Sequence, residues 1–167
     1  MTANSTVSKP VSTKLGFSES QSNGICVEMN QLLADYSVYY QKLRNFHWNV
    51  KGGDFFDLHE QFELQYNEAR LAIDLIAEKI RVFGSTPYSL MKEYLAESHI
   101  EESPSDLDAE RMVEIILDDY TILLKQLSKV VQVASADQDY GTEDMVKKFI
   151  KQIEKNHWML TAFSKKS

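Results

Sequence analysis

Cysteine is almost missing from this chain of 167 residues: Cys26 stands alone. No internal disulfide framework can form, and a reducing, cytoplasmic setting is expected. Proline occurs 3 times and glycine 6 times, so long stretches run without a breaker and an all-helical domain is favoured. No segment approaches the roughly 18 consecutive apolar residues of a membrane span. The opening "MTANSTVSKPVSTKLG" holds no apolar run suited to a signal peptide. Basic charge is also short, with 18 Lys and Arg against 25 Asp and Glu and a net charge of −7. Such a body repels nucleic acid and anionic membrane and attracts cations. What the chain does have is 43% hydrophobic residues, enough for one domain with a proper core.

Residues 1–20 are rich in Ser and Thr and read as a flexible tail ahead of a domain over 21–164, with a short tail at 165–167. From about Ile25 to Val50 the apolar residues recur at helical spacing (Met29, Leu32, Leu33, Tyr36, Tyr40, Leu43). Lys51 and Gly52-Gly53 signal the helix end, and Asp54 is a candidate cap for a second helix running to about Phe83 and Gly84. Residues 85–108 are too many for a hairpin turn, and "YSLMKEYLAE" can form a short helix within them. A third helix is expected from about Ala109 to Ser135, and a fourth, capped by Thr142, from about Glu143 to Phe163. Tight turn, long crossover, tight turn: this order describes a ferritin-like four-helix bundle with a short extra helix in its crossover.

The second helix carries an unusual polar strip. On a wheel of about 100° per residue with His59 at zero, Glu63 falls near 40°, Asp74 near 60° and Glu78 near 100°. The ordinary core stripe, with Leu58, Phe62, Ala69, Ile73, Ile76 and Ile80, lies roughly 120° away. Leu64, Leu71, Leu75 and Val82 form a second apolar row beyond the strip. One apolar stripe satisfies a bundle, so the second implies burial against another chain.

Glu63 and Asp74 are separated by about 16 Å of helix rise, whereas metal–ligand bonds are about 2 Å. The His59/Glu63 and Asp74/Glu78 pairs of one helix therefore cannot grip one ion. A copy of the helix running antiparallel about a two-fold axis near Glu68 and Ala69 would bring the two pairs level. His47, across the Gly-Gly corner, falls at nearly the height of His59. The candidate set is thus His47, His59 and Glu63 from one chain with Asp74 and Glu78 from its twin, a mixed imidazole and carboxylate shell suited to Fe(II). An ordinary account stands beside it: acids at i, i+4 often form a solvated face, and His47 shares the register of Leu33 and Tyr40.

"NFHWNVKG", "FFDLHEQFE", "DLIAE" and "HWML" resemble the mini-ferritins, the DNA-binding proteins from starved cells (Dps), over about residues 25–163. The resemblance implies that His47, His59, Glu63, Asp74 and Glu78 form a ferroxidase centre at a two-fold interface. Glu63 stands where the family often has Asp, and its longer arm shifts the geometry while keeping the ligand chemistry. Also implied are a homododecameric shell, oxidation of Fe(II) by hydrogen peroxide or dioxygen, and storage of ferric mineral against oxidative stress. Trp48 is then either an interceptor of stray oxidising equivalents or a buried aromatic anchor. Asp137, Asp139, Glu143 and Asp144 are candidates for lining a cation entrance, although Glu143 and Asp144 also suit the first turn of a helix.

Two rivals remain on the sequence. A diiron site inside one bundle needs two Glu-x-x-His motifs, and only Glu154-x-x-His157 is present, with His157 in register with Ile150 and Ile153. DNA binding without catalysis would rest on Lys9, Lys14, Lys165 and Lys166 against a negative body, so weak or absent binding is expected.

Overall fold

A computed structural model describes residues 15–164. The 1–14 stretch with Lys9 and Lys14, and the 165–167 stretch with Lys165 and Lys166, lie outside the described residues. Five helices and no strand occur among the described residues: α1 (Glu19–Asn49), α2 (Phe55–Val82), α3 (Met91–Glu97), α4 (Ala109–Ala136) and α5 (Tyr140–Ser164). α1, α2, α4 and α5 are the bundle, and α3 lies in the long crossover against α1. This is the expected architecture.

Helix α1 begins earlier than its apolar period suggests. Ser18 accepts from the Gln21 amide at 3.3 Å, while the Gln21 side chain accepts from the Ser18 amide at 2.9 Å. This reciprocal capping box satisfies two donors that a helix start would otherwise leave orphaned. Residues 19 and 20 of the expected tail are therefore helical. At the other end, Gly52 takes a φ of +109°, a conformation cheap only for glycine, and the chain reverses into α2. Asp54 holds the expected N-cap position there, although its side chain makes no cap bond. α2 ends in a Schellman motif: Ser85 N–H donates to the Ile80 carbonyl at 3.3 Å and Gly84 N–H to that of Arg81 at 2.9 Å, with Gly84 at φ +82°. Its 28 residues give a rod of about 42 Å.

The cap of α5 is Asp139 rather than Thr142. Its carboxylate accepts from the Thr142 amide at 3.1 Å, and the helix starts at Tyr140.

The core is built from Ile25, Met29, Leu32, Leu33, Leu43, Phe46, Leu58, Phe62, Ile76, Ile80, Ile116, Leu123 and Leu127, all inaccessible or nearly so. Within it sits one ion pair. The Lys42 ammonium on α1 bridges both oxygens of Asp119 on α4, at 2.8 and 2.7 Å, with both side chains buried. Burial pushes the Asp119 carboxyl up to about 6, against the opposing pull of Lys42.

The folded protein thus binds this proton more tightly than the unfolded chain does. The contribution of Asp119 to stability is present at low pH and is lost as pH rises through about 6. Lys42→Met should cost roughly 3–5 kcal/mol at pH 8, where a buried carboxylate loses its counter-ion. It should cost distinctly less at pH 5, where the carboxyl holds its proton. Urea denaturation at fixed protomer concentration reads the difference.

Candidate metal centre

The α1–α2 corner brings His47 and His59 together. Their rings stack at 3.8 Å between centroids with 22° between planes. Each fixes the other's backbone: His47 Nδ1 bonds the His59 carbonyl at 2.8 Å, and His59 Nδ1 bonds the His47 carbonyl at 2.8 Å. A carbonyl only accepts, so both Nδ1 atoms carry hydrogen. When the rings are neutral, both Nε2 atoms present lone pairs. Metal-ligating histidines characteristically show this outer-nitrogen bond, which sets tautomer and ring direction. Phe55 stacks on the outer side of His59 at 5.0 Å, and Tyr66 packs edge-on against His47 at 5.4 Å.

Glu63, one turn after His59, completes the cluster. One ligand atom from each of His47, His59 and Glu63 lies within 4.8 Å of the other two. A single ion can bridge donors at such separations, given bonds of about 2 Å. His47 is buried, His59 half-buried and Glu63 exposed, so the cluster opens outward from the bundle.

Asp74 and Glu78 are not part of this cluster. Both are exposed and belong to the same helix as His59, about four and five turns further on. Neither makes a hydrogen bond or ion pair among the described residues. Beside them the second apolar row is bare: Leu64 is 49% exposed, Leu71 55%, Leu75 46% and Val82 45%. Four large side chains in one row on one helix form an apolar stripe that the chain alone leaves in water.

Trp48 is 57% exposed, so within the chain it is no buried anchor. The Arg44 guanidinium lies over its ring at 4.7 Å, and the indole lines a cleft of about 170 Å³ with Gln41, Asn45, Met91 and Leu95. None of the five candidate ligands lines that cleft.

The acids of the α4–α5 corner have separate fates. Asp139 is buried, caps α5 and pairs with Lys79 at 3.5 Å. Asp137 accepts from Gln21 at 3.1 Å. Glu143 pairs with Lys147, and Asp144 with Lys148 at 2.7 Å; these lysines hold both carboxyls below their ordinary values. Tyr66 escaped the sequence reading altogether. Its hydroxyl donates to Glu63 Oε1 at 3.2 Å, and the only signal for it was the i, i+3 spacing.

Among the described residues the bundle interior holds no second cluster of metal-ligating side chains. Gln65 Oε1 accepts from the Tyr120 hydroxyl at 2.6 Å and the Tyr39 hydroxyl at 3.2 Å. Both Glu68 oxygens are taken by amides, from Gln152 at 2.8 Å and Asn156 at 2.9 Å. The void among these residues is about 30 Å³, room for a water and little else. His157 is half-buried beside Tyr120 at 6.2 Å.

The ferritin-like domain family matches residues 27–166. The chain is 45% identical to DNA protection during starvation protein 2 of Bacillus anthracis over 135 residues, 81% of this chain and 92% of that one. The crystal structure of a Dps protein from Bacillus brevis superposes with a TM-score of 0.85 at 36% identity, covering 89% of this chain and all of that one. Dps from Vibrio cholerae O1, described as a member of a broad superfamily of ferritin-like diiron-carboxylate proteins, superposes at 0.85 with 34% identity over 87% and 92% of the two chains. No helix among the described residues is long and apolar enough to cross a membrane. The chain therefore belongs to the ferritin-like domain family and, within it, to the Dps proteins.

Proposed function

We propose that this protein detoxifies and stores iron. On this reading it oxidises Fe(II), with hydrogen peroxide as the preferred oxidant, at centres formed between two chains of a hollow homododecamer. The observation that carries the proposal is the division of the polar strip. His47, His59 and Glu63 form a half-shell of three donors, while Asp74 and Glu78 sit unpartnered about 16 and 22 Å along the helix from Glu63. The bare row of Leu64, Leu71, Leu75 and Val82 runs beside both. An antiparallel twin would cover that row and bring its own Asp74 and Glu78 to the half-shell, giving two equivalent pockets per pair.

The donor types suit the chemistry. Neutral Nε2 atoms bind Fe(II) well, and carboxylates stabilise the higher charge of Fe(III), which favours oxidation. Two Fe(II) supply both electrons that hydrogen peroxide needs to become two waters, with two protons taken from solvent. No hydroxyl radical leaves such a two-electron step. Dioxygen is the slower alternative oxidant, and the cell compartment is the cytoplasm. On the same reading Trp48, exposed and next to His47 in the chain, would intercept oxidising equivalents that escape. Of the corner acids, Asp139 is committed to its helix cap and Lys79. Any cation entrance there would draw on Asp137, Glu143 and Asp144, whose field would concentrate Fe(II).

Mixed assembly tests the two-chain pocket. His59→Ala and Asp74→Ala shells should each oxidise Fe(II) at least about 100-fold more slowly than wild type, beyond the range of outer-shell changes. Reassembly of a random mixture of the two variants should restore about a quarter of the pockets, because each mixed pair rebuilds one of two. Absence of recovery, or full activity in either variant alone, would contradict the proposal.

DNA retention should be weak. With a net charge of −7 per chain, any phosphate contact falls to the few terminal lysines, and such contacts fade steeply with salt. Gel retardation of the intact particle should show no shift surviving moderate salt, whereas a robust shift would overturn this part of the reading.

A further inference from the structure

We propose that Tyr66 is a positioning residue for the metal pocket, holding the Glu63 carboxylate in place for the ion. The inference rests on the two-chain pocket proposed above. Glu63 is the one member of the three-donor cluster whose ligand group is not fixed by the backbone. Both imidazoles are locked through Nδ1, at 2.8 Å each, and their stacked rings allow little rotation. Glu63 is exposed, has three rotatable side-chain bonds, and would lose that freedom on binding an ion. Asn67, one turn on, bonds only the backbone carbonyl of Glu63, at 3.0 Å. The single polar group on the carboxylate among the described residues is the Tyr66 hydroxyl, at 3.2 Å.

Tyr66 is itself held on two sides. Its ring meets His47 edge-on at 5.4 Å and Tyr40 edge-on at 6.1 Å, and Arg44 lies over Tyr40 at 5.3 Å. The phenol therefore joins both arms of the site: its ring packs on one ligand and its hydroxyl grips another. A neutral donor is well suited to this task. It occupies one of about four lone-pair positions on a carboxylate and leaves the others for metal. Lys or Arg there would bring a positive charge that repels the incoming cation.

The test uses assembled particles under anaerobic conditions, titrated with Co(II) and followed by the visible absorption of the bound ion. Tyr66→Phe keeps the ring and removes only the hydroxyl. It should weaken Co(II) binding about 10-fold or more, within the 10–100-fold range of outer-shell partners, while thermal unfolding of the metal-free particle stays unchanged. In a Glu63→Asp background the carboxylate is one methylene shorter and out of the phenol's reach, so Tyr66→Phe should then add less than about twofold. Wild-type Co(II) affinity in Tyr66→Phe would overturn the proposal. Equal losses in both backgrounds would overturn it too, because they would trace the effect to ring packing. Asp74→Ala in the same titration separates the two levels. If it also binds as wild type, the two-chain pocket itself fails; if it loses Co(II) while Tyr66→Phe does not, only the role of Tyr66 fails.

Discussion

An α-helix advances about 1.5 Å per residue, and that rise keeps the two ligand pairs of α2 apart. His59 and Glu63 cannot share an ion with Asp74 and Glu78 of the same chain, however the side chains turn. Everything else in the site conforms to this separation. The donors are divided three and two, the three converge at the α1–α2 corner, and the two point into solvent with nothing to bind. The apolar row alongside is bare over the same length of helix. A second copy would satisfy all of these at once, because an antiparallel pairing that buried the apolar row would also bring the missing acids level. Apolar burial would thus drive the association, and the pocket would form as its consequence.

The corner makes the half-shell rigid before any partner arrives. Two imidazoles exchange hydrogen bonds with each other's backbone across the turn, so each ring is fixed through one nitrogen while exposing its second. One set of bonds serves both the fold and the chemistry. Deep in the bundle, the polar groups are spent on one another: Gln65 with two tyrosines, Glu68 with two amides, Lys42 with Asp119. Among the described residues these interior donors already have protein partners, and the three-donor cluster lies at the outward-opening α1–α2 corner.

Much of this was legible in the sequence because helical period and axial rise are both linear in residue number. Two apolar rows flanking a polar strip can be read from a wheel, and so can the equal heights of His47 and His59. Features that depend on side-chain direction or on competition between similar residues were not legible. Ser18 falls in the expected tail until its reciprocal bonds with Gln21 are seen. Four acids crowd the α4–α5 corner, and no spacing rule says that Asp139 is the buried cap while Asp144 stays in solvent. Nothing in the spacing marks Lys42 and Asp119 as partners, since a pair 77 residues apart has no local signature. Trp48 adjoins a buried histidine, yet its ring turns outward under Arg44. Tyr66 passed as one more aromatic on a bundle helix.

The measurement that bears most directly on the two-chain pocket is an anomalous-difference map of the assembled particle soaked anaerobically with Fe(II). The account predicts iron between His47, His59 and Glu63 of one chain and Asp74 and Glu78 of its neighbour, with Leu64, Leu71, Leu75 and Val82 buried alongside. Iron inside a single bundle, near Gln65 and Glu68, would contradict it. So would an assembly in which Asp74 and Glu78 still face open water.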